Sequence, residues 1–299
     1  MTKKLFLRYW QLYLLVFLPM LYLLLFKYIP MVGIQIAFRE YNAIEGIWGS
    51  PWVGFTHFRT FFGSPRFIAI VGNTASISLL SMVFGFPTPI ILAIFLNEIR
   101  NGIFKVSVQV VTAIPHFIST VVMAGLILVF LEPAGLVGRQ MHLFGFEAKV
   151  SIMGIANYFK YIYAVSDMWQ HMGYNSIIYL AALSGINPEL YEAAKVDGAN
   201  LIKKIIHVDL PGIMPVIVIL FILNTGELLQ VGFEKTYLLQ NNLNLPGSEV
   251  LQTYVYKVGL LNANYSYSTA LGVFNSVVSF AFLVAVNFIV RKYSESSLW

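Results

Sequence analysis

Six stretches of the chain are long and apolar enough to cross a lipid bilayer, and this limits the fold more than any other feature. A bilayer core of about 30 Å is spanned by about 20 helical residues. In lipid, backbone N–H and C=O groups must pair within a helix or a closed barrel, and continuous apolar runs of this length favour helices. The sequence therefore predicts an all-α, polytopic membrane protein with six transmembrane helices, at residues 8–27, 67–96, 104–131, 161–183, 212–232 and 269–290.

The composition excludes several other classes of protein. Only 11% of the 299 residues are charged, 58% are hydrophobic and none is cysteine. Because a soluble domain carries about 25% charged residues, a soluble enzyme and a disordered scaffold are excluded. The absence of cysteine excludes a disulfide framework. The net charge of +5 is spread along the chain and does not indicate nucleic-acid binding. The first apolar run is longer than a signal-peptide core and no small-residue cleavage site follows it, so we expect a retained first helix.

The distribution of Lys and Arg indicates the orientation, because cytoplasmic connections are enriched in basic residues. With the N-terminus inside, ten of the 19 basic residues fall in about 54 inner positions and the other nine in about 107 outer positions. This density predicts that both termini are cytoplasmic. We find no internal repeat and no separate soluble segment, so residues 1–299 are expected to form a single transmembrane domain.

The first outer connection, residues 28–66, is dense in aromatic side chains. They are Phe38, Tyr41, Trp48, Trp52, Phe55, Phe58, Phe61 and Phe62. Trp and Tyr favour the headgroup level of a membrane, so this segment is interpreted as re-entrant or as lying on the bilayer surface. A docking surface for an outside partner is a second interpretation, and the two are compatible.

The inner connection at residues 184–211 has the punctuation of two short helices. Asn187 followed by Pro188 is a start signal, because it combines an N-cap with a proline in the first turn. Asp197-Gly198 is a stop signal, since glycine accepts the left-handed geometry that ends a helix. A second helix is expected over about 199–208.

The end of this connection carries a further signal. Pro211 is expected to force Leu210 into an extended conformation and to open the fifth span. On these grounds alone, residues 184–211 could equally be an ordinary connection on the bilayer surface or a docking site for another protein.

The same connection resembles a known motif. Glu192-Ala193-Ala194, three residues, Gly198, nine residues, Val208, one residue and Leu210-Pro211 are similar to the EAA loop of bacterial ABC-importer inner-membrane subunits. The fuller stretch of residues 191–199 resembles the version in the carbohydrate-uptake, maltose-permease-like family. Val208 replaces the usual isoleucine, and Ile202 and Ile205 stand where the pattern often has Trp and Phe; all three remain apolar.

Other segments extend the resemblance over most of the chain. They are Asn73-Thr74, Phe86-Pro87-Thr88-Pro89-Ile90, Leu96-Asn97-Glu98, Ile114-Pro115-His116-Phe117-Ile118-Ser119, Tyr179-Leu180-Ala181-Ala182-Leu183 and Leu298-Trp299. These segments resemble the branch that handles complex oligosaccharides, including polygalacturonan- and alginate-type uronate fragments. The resemblance implies a type I ABC importer permease fold in the bacterial cytoplasmic (inner) membrane.

The resemblance also implies partners and site residues. It implies a second homologous permease subunit, hence a heterodimer, two ATPase subunits, an extracytoplasmic solute-binding protein and an oligosaccharide substrate. The implied ATPase-coupling residues are Glu192, Ala193, Ala194, Asp197, Gly198, Leu210 and Pro211. No G-x-x-x-x-G-K-[ST] loop occurs in the sequence, so we expect no ATP hydrolysis, no enzymatic activity and no cofactor or metal in this chain. ATP and Mg²⁺ would bind to the partner ATPases.

Polar residues inside the predicted spans are candidates for a substrate pathway, because such groups are costly in a membrane. They are Asp167, His171, Tyr174 and Asn175 on the fourth span and Asn224 and Glu227 on the fifth. Carboxylates, amides and aromatic rings suit a sugar. The alternative is that these groups join helices by interhelical hydrogen bonds. No second histidine lies at a useful spacing from His171, so no metal site is predicted.

Three other functions remain as alternatives at this point. A proton-coupled secondary sugar transporter would use Asp167 and Glu227 as proton carriers, an intramembrane enzyme would use His116, Asp167 or His171, and a structural subunit would only dock partners. A uronate substrate favours Lys or Arg in the pathway, whereas the spans contain acids and histidines. Either the partner permease supplies the positive charge or the substrate is neutral.

Overall fold

A computed structural model describes residues 2–100, 102–143 and 151–293. Every regular element within these ranges is helical, and their one β-type pairing is an isolated bridge between Arg39 and Trp52. The predicted all-α class is confirmed. Leu298-Trp299, which formed part of the family resemblance, lies outside the described residues.

The α-helices are numbered here in chain order. They are α1 (Thr2–Leu23), α2 (Gly46–Gly49), α3 (Thr56–Phe62), α4 (Phe67–Gly85), α5 (Pro87–Glu98), α6 (Ile103–Ala113), α7 (Thr120–Leu131), α8 (Leu136–Leu143), α9 (Phe159–Ser184), α10 (Pro188–Val196), α11 (Leu201–Lys204), α12 (Leu210–Gly226), α13 (Phe233–Leu239), α14 (Leu245–Ser248), α15 (Leu251–Tyr256) and α16 (Tyr265–Tyr293). Wider π-helical turns lie at Leu24–Tyr28, Ile205–Asp209 and Lys257–Leu261, and 3₁₀ segments lie at Ile29–Phe38, Ile114–Phe117, Ile152–Gly154 and Ala156–Tyr158.

Five helical stretches of the described chain are long and apolar enough to cross a membrane. They are Arg8–Phe38, Phe67–Glu98, Thr120–Gln140, Leu201–Gly226 and Tyr265–Lys292. The fourth predicted span forms α9, a helix of 26 residues. This helix is not among the five because polar residues such as Asp167, Gln170 and His171 interrupt its apolar character.

The predicted break at Pro211 is wrong, and the first helix runs past its predicted end. The first helix was expected to end at residue 27 but continues to Phe38, and Leu210 is helical (φ −62°, ψ −47°) rather than extended. A π-turn precedes Pro30 and another precedes Pro211. Because a π-turn is wider than an α-turn, it leaves room for the proline ring against the preceding turn. The second inner helix and the fifth span therefore form one helical path.

The third predicted span is broken into two helices. After α6 and the 3₁₀ segment Ile114–Phe117, Ile118 and Ser119 are extended, and the Ser119 hydroxyl caps α7 by accepting from the Val122 N–H at 3.4 Å. Gln170 on α9 donates to the Ile118 carbonyl oxygen at 3.4 Å. A side chain of a neighbouring helix thus satisfies part of the backbone that the break leaves open.

The fifth span ends earlier than predicted and the sixth begins earlier. The fifth ends at Gly226 instead of residue 232, and Glu227 (φ −102°, ψ 7°) lies outside the helix. Asn224, Thr225 and Gly226 are poor helix formers, and a Cβ on Gly226 would come within 2.5 Å of Leu283. The sixth span extends over Tyr265–Tyr293 instead of 269–290.

The chain divides into two compact units. One unit comprises the chain up to Ser64 together with Val255–Phe274. Three aromatic residues of this unit gather around Phe38, whose ring stacks on Trp52 at 5.5 Å and contacts Phe55 and Phe58, each at 5.4 Å.

The other unit comprises Pro65–Tyr254 and the chain from Asn275. Its core has two apolar clusters. The first includes Ile77, Met123, Phe159, Tyr163 and Leu239. The second includes Ile90, Ile94, Tyr179, Leu183 and Ile213, and lies nearer the connection at residues 184–211.

Candidate functional site

Local contacts fix both ends of α10 within the loop of residues 184–211. The Asn187 side chain caps this helix by accepting a 3.0 Å hydrogen bond from the Glu189 N–H. Gly198 follows the helix with a φ of +68°, which glycine adopts without strain. The predicted start and stop signals of this helix are therefore confirmed.

The seven residues implied in ATPase coupling fall into two groups. Glu192, Ala193, Asp197 and Gly198 are exposed on α10 and the turn after it, and Ala194 is half-buried. At the start of α12, Pro211 is exposed while Leu210 packs against the second apolar cluster. The exposed members of this set thus combine two acids, Glu192 and Asp197, with the small residues Ala193 and Gly198.

The half-buried side of α10 carries a polar cluster that the sequence reasoning missed. The Tyr191 hydroxyl donates a 2.7 Å hydrogen bond to Oδ1 of Asp209. Burial and the neighbouring Asp209 carboxylate raise the pKa of the Tyr191 phenol, so it stays protonated and donates. Nearby, the Lys204 ammonium pairs with Glu98 at 2.6 Å. No local sequence signal marks these contacts, because they join residues of separate segments.

A cavity of about 330 Å³ collects most of the predicted pathway residues. Five of the six line it: Asp167, His171, Asn175, Asn224 and Glu227. Further polar groups come from Ser78, Ser81 and Gln230. The polar residues predicted on the fourth span and those predicted on the fifth span therefore line the same cavity.

A second cavity continues from the first. It has a volume of about 220 Å³, shares Asn175 and Asn224 with the first cavity, and extends to Tyr179 on α9 and Leu220 on α12. Tyr179 belongs to the apolar cluster nearer the loop. The two cavities together follow α9 and α12 toward the 184–211 connection.

Tyr174 is the predicted pathway residue that does not line the larger cavity. Its ring stacks on His116 with centroids 3.8 Å apart and planes 3° apart. His116 in turn lies 5.5 Å from the His171 ring. Tyr174 thus contacts the broken third span, and its link to the cavity runs through the histidines.

Asp167 has a cationic partner that was not predicted. The Lys235 ammonium lies 3.4 Å from Asp167 Oδ1, and the Lys235 side chain is only 5% exposed. The Lys235 nitrogen also lies 5.0 Å from the centre of the Tyr163 ring, whose hydroxyl accepts a 3.0 Å hydrogen bond from the Gly232 N–H. This places the start of α13 against α9, and no local sequence signal marks Lys235 as buried.

The arrangement has a mixed polar chemistry. His171 Nδ1 lies 3.5 Å from Asp167 Oδ1 and 3.0 Å from the Asp167 carbonyl oxygen. Lys235 compensates the charge of Asp167, whereas Glu227 is exposed to the cavity. Among the described residues, no group of three His, Cys, Asp or Glu side chains could hold a metal ion. The cavity can offer carboxylate, amide and imidazole partners to hydroxyl groups.

The chain is similar to known transport proteins in sequence. Residues 85–295, which include the whole 184–211 loop, match the family described as binding-protein-dependent transport system inner membrane component. The chain is 42% identical over 289 residues to the polygalacturonan/rhamnogalacturonan transport system permease protein YteP of Bacillus subtilis (strain 168), covering 96% of this chain and 90% of that protein. It is 38% identical over 290 residues to the protein LplB of the same organism, covering 96% and 91%.

The structure is also similar to solved structures, among them the following two. One is a bacterial ABC transporter involved in the import of the acidic polysaccharide alginate, with a TM-score of 0.88, 39% identity and coverage of 97% of this chain and 98% of that chain. The other is a bacterial alginate ABC transporter in complex with an alginate pentasaccharide-bound periplasmic protein, with a TM-score of 0.90, 38% identity and 99% coverage of both chains.

Proposed function

The chain belongs to the binding-protein-dependent transport system inner membrane components, and from this premise we propose its part in the assembled transporter. It is a permease component of an ABC sugar importer and not an enzyme. In our proposal it forms the translocation pathway with a second, homologous permease. Two ATPase subunits bind ATP and Mg²⁺ beneath this pair, a solute-binding protein delivers the sugar from outside, and both termini of the chain are cytoplasmic.

The exposed face of α10 carries the coupling part of the proposal. Glu192 offers a charge to an ATPase subunit, while Ala193 and the half-buried Ala194 allow a close approach of its backbone. Gly198 sets the turn after the helix with its φ of +68°. An acid beside small side chains on an accessible helix suits a groove on another protein.

The two adjoining cavities support the pathway part of the proposal. Sugars require hydrogen-bond partners arranged around hydroxyl groups, and Asp167, Asn175, Asn224 and Glu227 supply acceptors and donors in one cavity. The second cavity leads along α9 and α12 toward the loop. We propose that these residues contact the substrate during its passage.

The substrate we propose is an oligosaccharide fragment of an acidic plant or algal polysaccharide. Relatives named for polygalacturonan/rhamnogalacturonan transport and for alginate import support this class. Lys235 neutralises Asp167, so the cavity wall is less negative than its acids alone would make it. The second permease would supply further positive charge for a uronate.

The test is reconstitution of the four kinds of subunit in vesicles. We expect oligogalacturonides or alginate oligosaccharides to be taken up only when ATP is present with the loaded binding protein. A matched preparation should carry an ATPase inactivated in its phosphate-binding loop and show no uptake. Uptake that needs a proton gradient but no ATPase subunit would overturn the proposal in favour of a proton-coupled secondary transporter.

A further inference from the structure

The inward side of α10 is connected to two other helices by side chains alone. The Tyr191 hydroxyl donates to Asp209 Oδ1 at 2.7 Å, and Asp209 lies in the π-turn that leads into α12. Asn97, near the end of α5, also interacts with the Tyr191 hydroxyl. One tyrosine thus joins the loop helix to the ends of both α5 and α12.

The Asp209 carboxylate depends on this tyrosine. Asp209 is fully buried, with 0% of its surface exposed. Its second oxygen, Oδ2, accepts no hydrogen bond from any residue that the structure describes. A buried carboxylate requires donors to offset its lost hydration, so the Tyr191 hydroxyl is a strong link rather than an incidental contact.

A second link runs parallel to the first. Glu98 is the last residue of α5, where the helix dipole disfavours an acid. The Lys204 ammonium offsets this by pairing with Glu98 at 2.6 Å, and it also lies 5.7 Å from the centre of the Tyr191 ring. The contact therefore ties α11 to α5 and places a cation against the tyrosine.

The backbone between α10 and α11 is a short, hydrogen-bonded turn. After α10 the chain passes through Gly198 in the left-handed region and Asn200 in an extended conformation (φ −75°, ψ 171°). The Ala199 N–H donates to the Ala194 carbonyl oxygen at 2.9 Å, and the Gly198 N–H donates to the Lys195 carbonyl oxygen at 3.2 Å. This turn joins α10 to α11 only, so the contact of α10 with the start of α12 and that of α11 with α5 depend on side chains.

We infer that Tyr191, Asp209, Lys204 and Glu98 are positioning residues that make α10, α5 and the α11–α12 path move as one body when the ATPases close. The inference rests on the proposed coupling function and extends it to residues facing away from the ATPase. Tyr191 stands directly before Glu192. Neighbouring residues of one helix would therefore have different roles: Glu192 contacts the ATPase, and Tyr191 links α10 to the membrane helices.

The test measures a distance inside this chain in the assembled transporter. The chain has no cysteine, so Val196→Cys on α10 and Ile219→Cys on α12 give two unique sites for spin labels. In the otherwise unchanged chain we expect one narrow distance distribution, the same without nucleotide and with ATP, Mg²⁺ and vanadate. With Tyr191→Phe we expect the distribution to broaden or shift when ATP and vanadate are added.

The controls separate this inference from general damage. Tyr158→Phe makes the same chemical change at an exposed tyrosine outside the cluster and should leave the distribution narrow. For the Glu98–Lys204 pair the labels are placed at Ile91→Cys on α5 and Ile219→Cys on α12, both exposed positions. Glu98→Lys should broaden that distribution, and Glu98→Lys combined with Lys204→Glu should restore it, because the swap re-forms the pair.

Two results would overturn the inference. One is a distribution in Tyr191→Phe that matches the unchanged chain in both states, and the other is an unchanged chain whose own distance shifts with nucleotide. Failure of the proposed function is distinguishable, because the ATPase subunits would then not co-purify with the chain and no vanadate-trapped complex would form.

Discussion

The ammonium nitrogen of Lys235 lies 3.4 Å from Oδ1 of Asp167, which joins α13 to α9 beside the larger cavity. The cation comes from the segment that follows the fifth span and not from a span itself. It offsets one of the two acids at the cavity and leaves Glu227 exposed there. The charge balance of the proposed pathway is therefore set by a contact between segments far apart in sequence.

The first prediction concerns this pair. Asp167→Asn should destabilise the protein by about 3 kcal/mol, because it leaves the buried Lys235 ammonium without its counter-charge. Asp167→Asn combined with Lys235→Met should recover much of the loss, since no buried charge then remains unpaired. Thermal unfolding in detergent measures both. Equal melting temperatures for the single and double variants would show that the pair is not a buried ion pair in solution.

The second prediction concerns Glu192. Glu192→Lys should abolish ATP-driven uptake while the protein remains in the membrane, because the charge offered to the ATPase is reversed. Co-purification of the ATPase subunits and uptake in vesicles are the two measurements. Glu45→Lys reverses another exposed acid outside the loop and should have little effect. Normal transport-coupled ATP hydrolysis in Glu192→Lys would remove the coupling assignment.

The third prediction concerns the conformation of Gly198. Gly198→Val should abolish transport, because a β-branched residue at φ +68° costs about 1–2 kcal/mol of backbone strain. No atom lies within 4 Å of the Cβ position in this chain, so the cost is conformational. Gly198→Asn should keep a large part of the activity, since asparagine tolerates the left-handed region. Equal loss in both variants would instead indicate that the ATPase backbone approaches too closely for any side chain.

The fourth prediction concerns the cavity acids. Glu227→Ala and Asp167→Ala should change the apparent transport affinity for oligosaccharides more than they change ATPase binding. Glu227→Gln keeps the size and one acceptor and should have the smaller effect of the two Glu227 variants. Concentration-dependent uptake of several oligosaccharides measures this. Unchanged uptake for all of them would show that Asp167 and Glu227 have structural roles and do not contact the substrate.

The fifth prediction concerns the contact between α6 and α9. Gly173 is buried, and a Cβ there would overlap the Thr112 carbonyl group, which is backbone and cannot move aside cheaply. Gly173→Ala should therefore cost about 3 kcal/mol, at the upper end of overpacking effects. Gly125→Ala on α7, where nothing lies within 4 Å, should be neutral or stabilising. Melting temperatures in detergent compare them, and equal values would contradict the close approach.

Features that depend on local chemistry could be predicted from the sequence. Each apolar run coincides at least in part with helix, and Asn187 and Gly198 located the ends of α10, because a cap and a left-handed glycine act within a few residues. The helical state of Leu210 could not be predicted in this way. The tendency of a residue before proline to be extended is statistical, and the π-turn at Ile205–Asp209 removes its cause.

Some site residues could likewise be predicted from the local sequence, and others could not. Asp167 and Asn224 could be singled out because polar groups stand out in apolar runs, and the structure brings them to one cavity. Lys235 and Tyr191 could not, since their contacts with Asp167 and Asp209 depend on how distant segments pack. Only the fold reveals that a lysine outside the predicted spans is buried.

The helical path Leu201–Gly226 is unbroken, so it fixes the direction in which residues at one end point relative to residues at the other end. It has 26 residues, and each residue of an α-helix turns by about 100°. Asn224 therefore faces the cavity only while the number of residues between it and the loop stays the same. A single insertion or deletion within this path would rotate Asn224 by about a quarter of a turn away from the cavity. The length of the segment is thus as much a functional requirement as the identity of its residues.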